Sequence, residues 1–82
     1  MQLLSIGHGN YVSVEKLVAV VKPDSSPIKR LIQESRDRGL LIDATQGRKT
    51  QSVLVTDCGL VVLSALAAET LEHRNNDQYI NE

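Results

Sequence analysis

The segment SPIKRLIQESRDRGLLIDATQGRKTQSVLV, residues 26–55, decides the fold. Its first part predicts a helix: Ser26 is a good N-cap, and Pro27 suits the first helical position because its missing N–H has no partner to lose there. Gly39 suits the residue after the helix, where a left-handed backbone conformation is common. Apolar residues recur every three or four positions between these ends, which indicates one buried face made of Ile28, Leu31 and Ile32.

Two extended runs follow the predicted helix. Residues 40–45 are largely apolar, and residues 50–55 alternate between polar and apolar side chains, as in a half-buried strand. Gln46-Gly47-Arg48-Lys49 lies between them and is typical of a tight turn. We therefore expect a hairpin with a basic tip. Asp43 is expected to cap a neighbouring backbone group or to pair with a cation.

The flanking segments complete an α+β pattern. Residues 17–21 form a continuous run of mostly β-branched residues, which favours a strand buried on both faces. The closing strands are joined by short turns, so we expect them to be antiparallel. The other predicted elements are a strand over residues 2–6, a turn over 7–10, a strand at 11–12, a helical turn capped by Ser13, a turn over 56–59, a strand over 60–63 and a short C-terminal helix over 65–74.

Composition places the chain among globular domains. It has 82 residues, 41% of them hydrophobic, but no Trp and no Phe, so the core is thin and burial between subunits would help its stability. The single cysteine excludes an internal disulfide, and no spacing suggests a metal or cofactor site. There is no signal-peptide pattern and no membrane-spanning run, so we expect a cytoplasmic protein without membrane contact.

Charge is divided unevenly along the chain. The net charge is −1, yet residues 1–50 carry +3 and residues 51–82 carry −4. This asymmetry permits a local basic face on a nearly neutral protein. The best candidate for such a face is the turn at Arg48 and Lys49. Gly47 would let backbone N–H groups approach a phosphate, and arginine offers a bidentate donor.

Simpler interpretations of the basic residues remain open. A Gly-Arg-Lys turn is also what any well-solvated hairpin carries. Lys16, Lys29 and Arg30 would extend a basic surface if the fold brings them to one side, and otherwise they are solvated side chains. No catalytic arrangement is recognisable, so we expect no enzyme activity and no small-molecule substrate.

Four separated blocks resemble one protein family. They occur in the order of the RemA-like family of small bacterial extracellular-matrix regulators, and the resemblance runs from about Leu4 to Arg74. The blocks are IGHGN at 6–10, SSPIKR at 25–30, IDATQGRKT at 42–50 and VLVTD at 53–57.

The resemblance implies a sequence-dependent DNA-binding transcriptional regulator. Members of the family activate biofilm-matrix and osmoprotection genes, and they form ring-like homo-oligomers with a fold similar to LytTR DNA-binding domains. The family's contacts to double-stranded DNA match Lys16, Arg48 and Lys49 here. On this basis residues 1–74 form a single RemA-like domain, and residues 75–82 a polar, frayed tail.

Three other functions compete with DNA binding. An oligomeric scaffold could use the same basic turn on an acidic protein surface. A single-stranded RNA binder is less favoured, because Tyr11 and Tyr79 offer almost no stacking platform. A small-molecule enzyme comes last.

Overall fold

The structure, a computed structural model, describes the backbone of residues 2–80 and the side chains of residues 2–74. The chain contains six strands, one short 3-10 helix and two α-helices over this range. In chain order these are β1 Leu3–Gly7, β2 Asn10–Ser13, the 3-10 helix Val14–Lys16, β3 Leu17–Val21, α1 Ser26–Asp37, β4 Leu41–Asp43, β5 Ser52–Thr56, β6 Val61–Ser64 and α2 Ala68–Ile80.

The strands form two sheets. β1 and β2 pair as an antiparallel hairpin, and the other four strands form a sheet in the order β3-β5-β6-β4. In this sheet β5 is antiparallel to both β3 and β6, whereas β4 is parallel to β6. The α+β prediction is confirmed, and the four-stranded sheet is mixed rather than purely antiparallel.

The four-stranded sheet is covered on both faces. One face packs against α1 through the buried residues Val53, Val61 and Leu63. The other face packs against the β1–β2 hairpin and α2, and the buried residues on this side are Leu4, Ile6, Ala44, Leu54, Val62 and Leu71. Val53 and Leu54 are adjacent on β5 and point to opposite faces, so β5 contributes to both halves of the core.

The helix α1 forms as its apolar pattern predicts, although its cap is shifted by one residue. The Ser25 hydroxyl, rather than that of Ser26, accepts a hydrogen bond from the backbone N–H of Ile28 at 3.4 Å. Ile28, Leu31 and Ile32 pack against the sheet. Gly39 follows the helix with a φ of 73°, which confirms the predicted helix end.

The predicted central hairpin is wrong. Residues 41–43 and 52–56 are not neighbours in the sheet, because β6 lies between β4 and β5. All four residues of β6 are buried, so its Val-Val-Leu run needs a strand on each side, and β4 takes one of these places. The connection at 44–51 therefore crosses the end of β6 and is longer than a hairpin turn.

Two further predictions need correction. β3 was expected to be buried on both faces, but it is an edge strand, and its residue Val18 is 67% exposed. The C-terminal helix begins at Ala68 instead of residue 65, and it continues to Ile80 into the predicted tail. The last two residues of that tail, 81 and 82, lie outside the described residues, and fraying of the tail stays a prediction.

Candidate nucleic-acid interface

The basic residues Arg48 and Lys49 follow a tight turn within the β4–β5 connection. Gln46 and Gly47 have positive φ angles of 56° and 79°, and the backbone N–H of Arg48 donates to the carbonyl of Thr45 at 3.1 Å. Positive φ at both central residues is the signature of a type I′ turn. The local turn prediction is thus right, although the turn does not join paired strands.

The Asp43 side chain holds this turn in place by hydrogen bonds to Thr45, the first residue of the turn. One oxygen of its carboxylate, Oδ1, accepts hydrogen bonds from the backbone N–H of Thr45 at 2.9 Å and from the Thr45 hydroxyl at 2.6 Å. These bonds, the hydroxyl bond first, lower the pKa of Asp43 below its usual value, because they stabilise the ionised form. The expectation that Asp43 caps a neighbouring backbone group is confirmed.

Both ends of the connection are fixed to β6. The backbone N–H of Ala44 donates to Leu63 at 3.0 Å, and that of Gln51 donates to Ser64 at 2.8 Å. Ala44 and Thr45 are also buried. The exposed part, residues 46–49, is therefore a short turn held on a rigid base rather than a long free loop.

Lys16 lies at the other end of β5. It ends the 3-10 helix, and its carbonyl accepts a hydrogen bond from the backbone N–H of Asp57 at 2.9 Å, just after β5 finishes. Arg48 and Lys49 come just before β5 begins. The five residues of β5 span about 13 Å from first to last at ~3.3 Å per residue. The fold therefore does not bring Lys16 together with the basic turn within one subunit.

Lys29 and Arg30 lie near the start of α1, which follows the end of β3. Val21 at that end pairs with Val53 at the start of β5. The start of α1 is therefore at the same end of the sheet as the basic turn. Both side chains are exposed. Farther along this helix, the Gln33 side-chain amide donates a hydrogen bond to the Asp37 carboxylate at 3.0 Å.

Among the described side chains, no carboxylate forms an ion pair with these cations. Over the described side chains, residues 2–74, the one ion pair links Lys22 to Glu69 at 3.5 Å. The charges of Arg48 and Lys49 are thus not neutralised by a neighbouring side chain in that range. The same residues contain no group of three His, Cys, Asp or Glu side chains suited to a metal ion. The chemistry available at the turn is recognition of an anion by charge and hydrogen bonding.

Two buried serines contribute to this end of the molecule, and the sequence analysis did not single them out. The Ser64 hydroxyl donates to the Ile6 carbonyl at 2.8 Å, and the Ser52 hydroxyl donates to the Leu66 carbonyl at 2.7 Å. Both serines are fully buried and pair directly across β5 and β6. Their signal in the sequence is a lone serine at one end of each apolar run, SVLV and VVLS.

The fold and the turn together define a small α+β domain that presents an anchored basic turn. The chain belongs to the RemA-like family, described as extracellular matrix regulatory protein A-like, whose model matches residues 3–74. The resemblance noted from the four blocks is thereby confirmed.

Several relatives are similar over nearly the whole chain, and their names describe them as candidate regulatory proteins. A protein of Clostridium botulinum (strain Eklund 17B, Type B) is 54% identical and aligns with 100% of this chain and 94% of its own length. One of Acetivibrio thermocellus is 55% identical, over 93% of this chain and 82% of its own. One of Clostridium perfringens (strain 13, Type A) is 58% identical, over 90% of this chain and 83% of its own length. Within the described residues, the helices are too short or too polar to cross a membrane.

Proposed function

We propose that this protein is a DNA-binding transcriptional regulator that acts as a ring-like homo-oligomer. Its family resemblance supports a role as an activator of biofilm-matrix and osmoprotection genes. Arg48 and Lys49 contact the phosphates of double-stranded DNA, and Lys16, Lys29 and Arg30 add further contacts. The fold is of the LytTR-like kind, and the protein works in the cytoplasm without catalysing a reaction.

One observation carries this proposal. Arg48 and Lys49 are exposed, and no carboxylate pairs with them among the described side chains. The turn that holds them is fixed by Asp43 and by the bonds to β6. A preorganised pair of cations loses little conformational entropy on binding a phosphate, so more of the attraction appears as affinity.

The position of Lys16 supports the oligomeric part of the proposal. One subunit offers the turn at one end of β5 and Lys16 at the other, so each contact alone is small. Each phosphate contact lowers the logarithm of the binding constant by ~0.9 per tenfold rise in salt. The few contacts of one subunit give weak binding, whereas a ring repeats them along one duplex and multiplies the affinity.

Gel retardation of a long duplex across a salt series tests the proposal. The Arg48→Ala/Lys49→Ala variant should lose retardation, and its loss should be largest at low salt. The matched control is Arg38→Ala/Arg74→Ala, which removes the same charge from exposed side chains outside the turn. Light scattering on each variant reports whether the oligomer persists.

Two results would overturn DNA binding through the turn. One is wild-type protein that does not retard DNA at low salt. The other is an equal loss in both double variants, which would mean that net charge rather than the turn matters. A protein that stays monomeric and still binds with full affinity would overturn the oligomeric part alone.

An oligomeric scaffold is the second candidate, and one observation favours it. A mostly apolar groove of about 440 Å³ lies between β3 and α2, beside the exposed Val18. Such a surface suits protein contact. Intact oligomers that bind an acidic protein but not DNA would support this function in place of the first.

A further inference from the structure

We infer that the β1–β2 turn, with His8 at its tip, is a second phosphate-contacting element beside the Arg48–Lys49 turn. This inference rests on the proposed DNA binding and adds a residue to that site. It comes from the conformation of the turn and from its position at the same end of the core.

The backbone at His8 is unusual. Gly7, His8 and Gly9 have consecutive positive φ angles of 99°, 57° and 78°. Within residues 2–80, His8 and Gln46 are the two non-glycine residues with positive φ, and each sits in one of these two turns. A left-handed conformation at a non-glycine residue costs free energy, and such residues cluster at ligand sites.

The His8 turn is held in place by its neighbours. The Asn10 side-chain amide donates to the carbonyls of Gly7 at 3.1 Å and His8 at 3.5 Å. A Cβ on Gly7 would lie 3.3 Å from the side chain of Leu66, so glycine allows the chain to pass close to the β6–α2 connection. The turn is therefore fixed against the core at its base.

The same core end supports both turns. Ile6, two residues before His8, accepts the hydrogen bond of the Ser64 hydroxyl at 2.8 Å. The carbonyl of Ser64 accepts from the backbone N–H of Gln51, two residues after Lys49, at 2.8 Å. Ile6 and Ala44 also belong to one buried cluster. The bases of the two turns are thus linked through Ser64, and both turns are exposed to solvent.

The chemistry of the His8 turn suits a phosphate oxygen. His8 and Gly9 are exposed, and nothing lies within 4 Å of the position that a Cβ on Gly9 would take. The backbone there is open to a ligand. A neutral imidazole keeps one N–H donor and an imidazolium has two, so the ring can donate to a phosphate in either state. A contact next to the basic turn would lengthen the bound stretch of the DNA backbone.

Fluorescence anisotropy with a labelled duplex tests this inference. His8→Gly accepts the positive φ and removes the imidazole, while His8→Asn tolerates the same backbone and keeps a side-chain N–H donor. We expect about three- to tenfold weaker binding for His8→Gly, the range of one lost hydrogen bond. His8→Asn should recover most of the affinity.

Two controls separate the possible outcomes. His73→Ala removes the chain's other histidine, which is exposed on α2, and should leave the affinity unchanged. Thermal melting checks that each variant folds. If Arg48→Ala/Lys49→Ala abolishes binding while His8→Gly binds like wild type, the His8 inference fails and the proposed function stands. If wild type does not bind DNA, the proposed function fails as well.

Discussion

Replacing Asp43 tests whether its carboxylate prepares the basic turn for DNA. Asp43 is itself an acid only five residues from Arg48, so on charge alone its removal should strengthen phosphate binding. The structure gives the opposite expectation for Asp43→Ala, because the variant loses the two hydrogen bonds to Thr45 at 2.9 and 2.6 Å. Thr45 is 2% exposed, so its freed donors are poorly placed to find water.

The size of the effect follows from these two bonds. A hydrogen bond to a charged group contributes ~1.5–3 kcal/mol, and less when the group is solvated as Asp43 is, so both together are worth about 1–2 kcal/mol. Each kcal/mol lowers the melting temperature by about 4–8 °C in a domain of this size. If the whole loss falls on the ordering of the turn, DNA binding weakens by about tenfold.

Asp43→Asn separates bracing from charge. Asparagine keeps an oxygen that can accept both bonds, but it removes the negative charge beside the proposed DNA contact. We expect it to bind DNA at least as tightly as wild type, while Asp43→Ala binds more weakly. Asp37→Ala is the control, since it removes an equal charge from an exposed carboxylate that accepts from Gln33 alone.

Melting curves and DNA titrations over a salt series measure these variants. The salt slope should become shallower for Asp43→Ala, because a disordered turn makes fewer phosphate contacts. A loss of folded protein alone would lower the active fraction and leave the slope unchanged. Wild-type affinity and slope in Asp43→Ala would refute the bracing argument.

Three further predictions concern stability and protonation. Leu54→Ala should lower the free energy of unfolding by about 2–5 kcal/mol in urea titrations, because Leu54 is fully buried in the cluster shared by β1 and α2. A loss under about 1 kcal/mol would contradict this packing. Ser64→Ala should cost about 1–3 kcal/mol in the same assay, since it leaves the Ile6 carbonyl and the Leu66 N–H without their hydroxyl partner, and an unchanged midpoint would count against the network. The pKa of Asp43 should lie below the usual aspartate range, as NMR titration of the carboxyl carbon can measure. The stabilising effect of Asp43 is therefore complete above the unfolded-state pKa and is lost as pH falls through the folded-state pKa. Thr45→Val should raise the pKa of Asp43 towards its ordinary value, because it removes the hydroxyl hydrogen bond.

The helix α1 and the tight turns could be predicted because the residues that determine them are close together in the sequence. The bounds of α1 are predicted to within a residue or two by its apolar stripe and by the glycine that follows it, which are Ile28, Leu31 and Ile32 on the one hand and Gly39 on the other. The cap was misplaced because Ser25 and Ser26 are equally good N-caps by composition. Only the hydrogen bond from Ile28 to the Ser25 hydroxyl separates them.

Strand pairing was harder to predict because it depends on competition between distant segments. The Gln46-Gly47-Arg48-Lys49 stretch correctly predicted a tight turn, but turn chemistry does not determine which strands pair. β6 is buried along its whole length and takes both β5 and β4 as partners, so β4 is displaced from β5. Periodicity also cannot show that β3 is an edge, since the same apolar run fits a central strand.

The candidate site was predicted by residue type and not by arrangement. Arg48 and Lys49 were found from their place in a glycine turn, and the capping role of Asp43 follows from its short side chain. Contact between Ile6 and Ser64 joins positions 58 residues apart, so no local pattern reveals that the His8 turn shares a base with the basic turn.

The separation of Lys16 from the basic turn determines how the two can act together. Lys16 is anchored beside Asp57, about the length of β5 away from the turn, and both ends are fixed by backbone hydrogen bonds. In the proposed ring, a duplex that touches one end of a subunit therefore reaches Lys16 either farther along its own length or on the next subunit. Sites that bind separate phosphates contribute independently, so the losses in binding free energy for Lys16→Ala and for Arg48→Ala/Lys49→Ala should add within about 0.5 kcal/mol. A combined loss well short of the sum would mean that the two ends meet at one phosphate, across a subunit boundary.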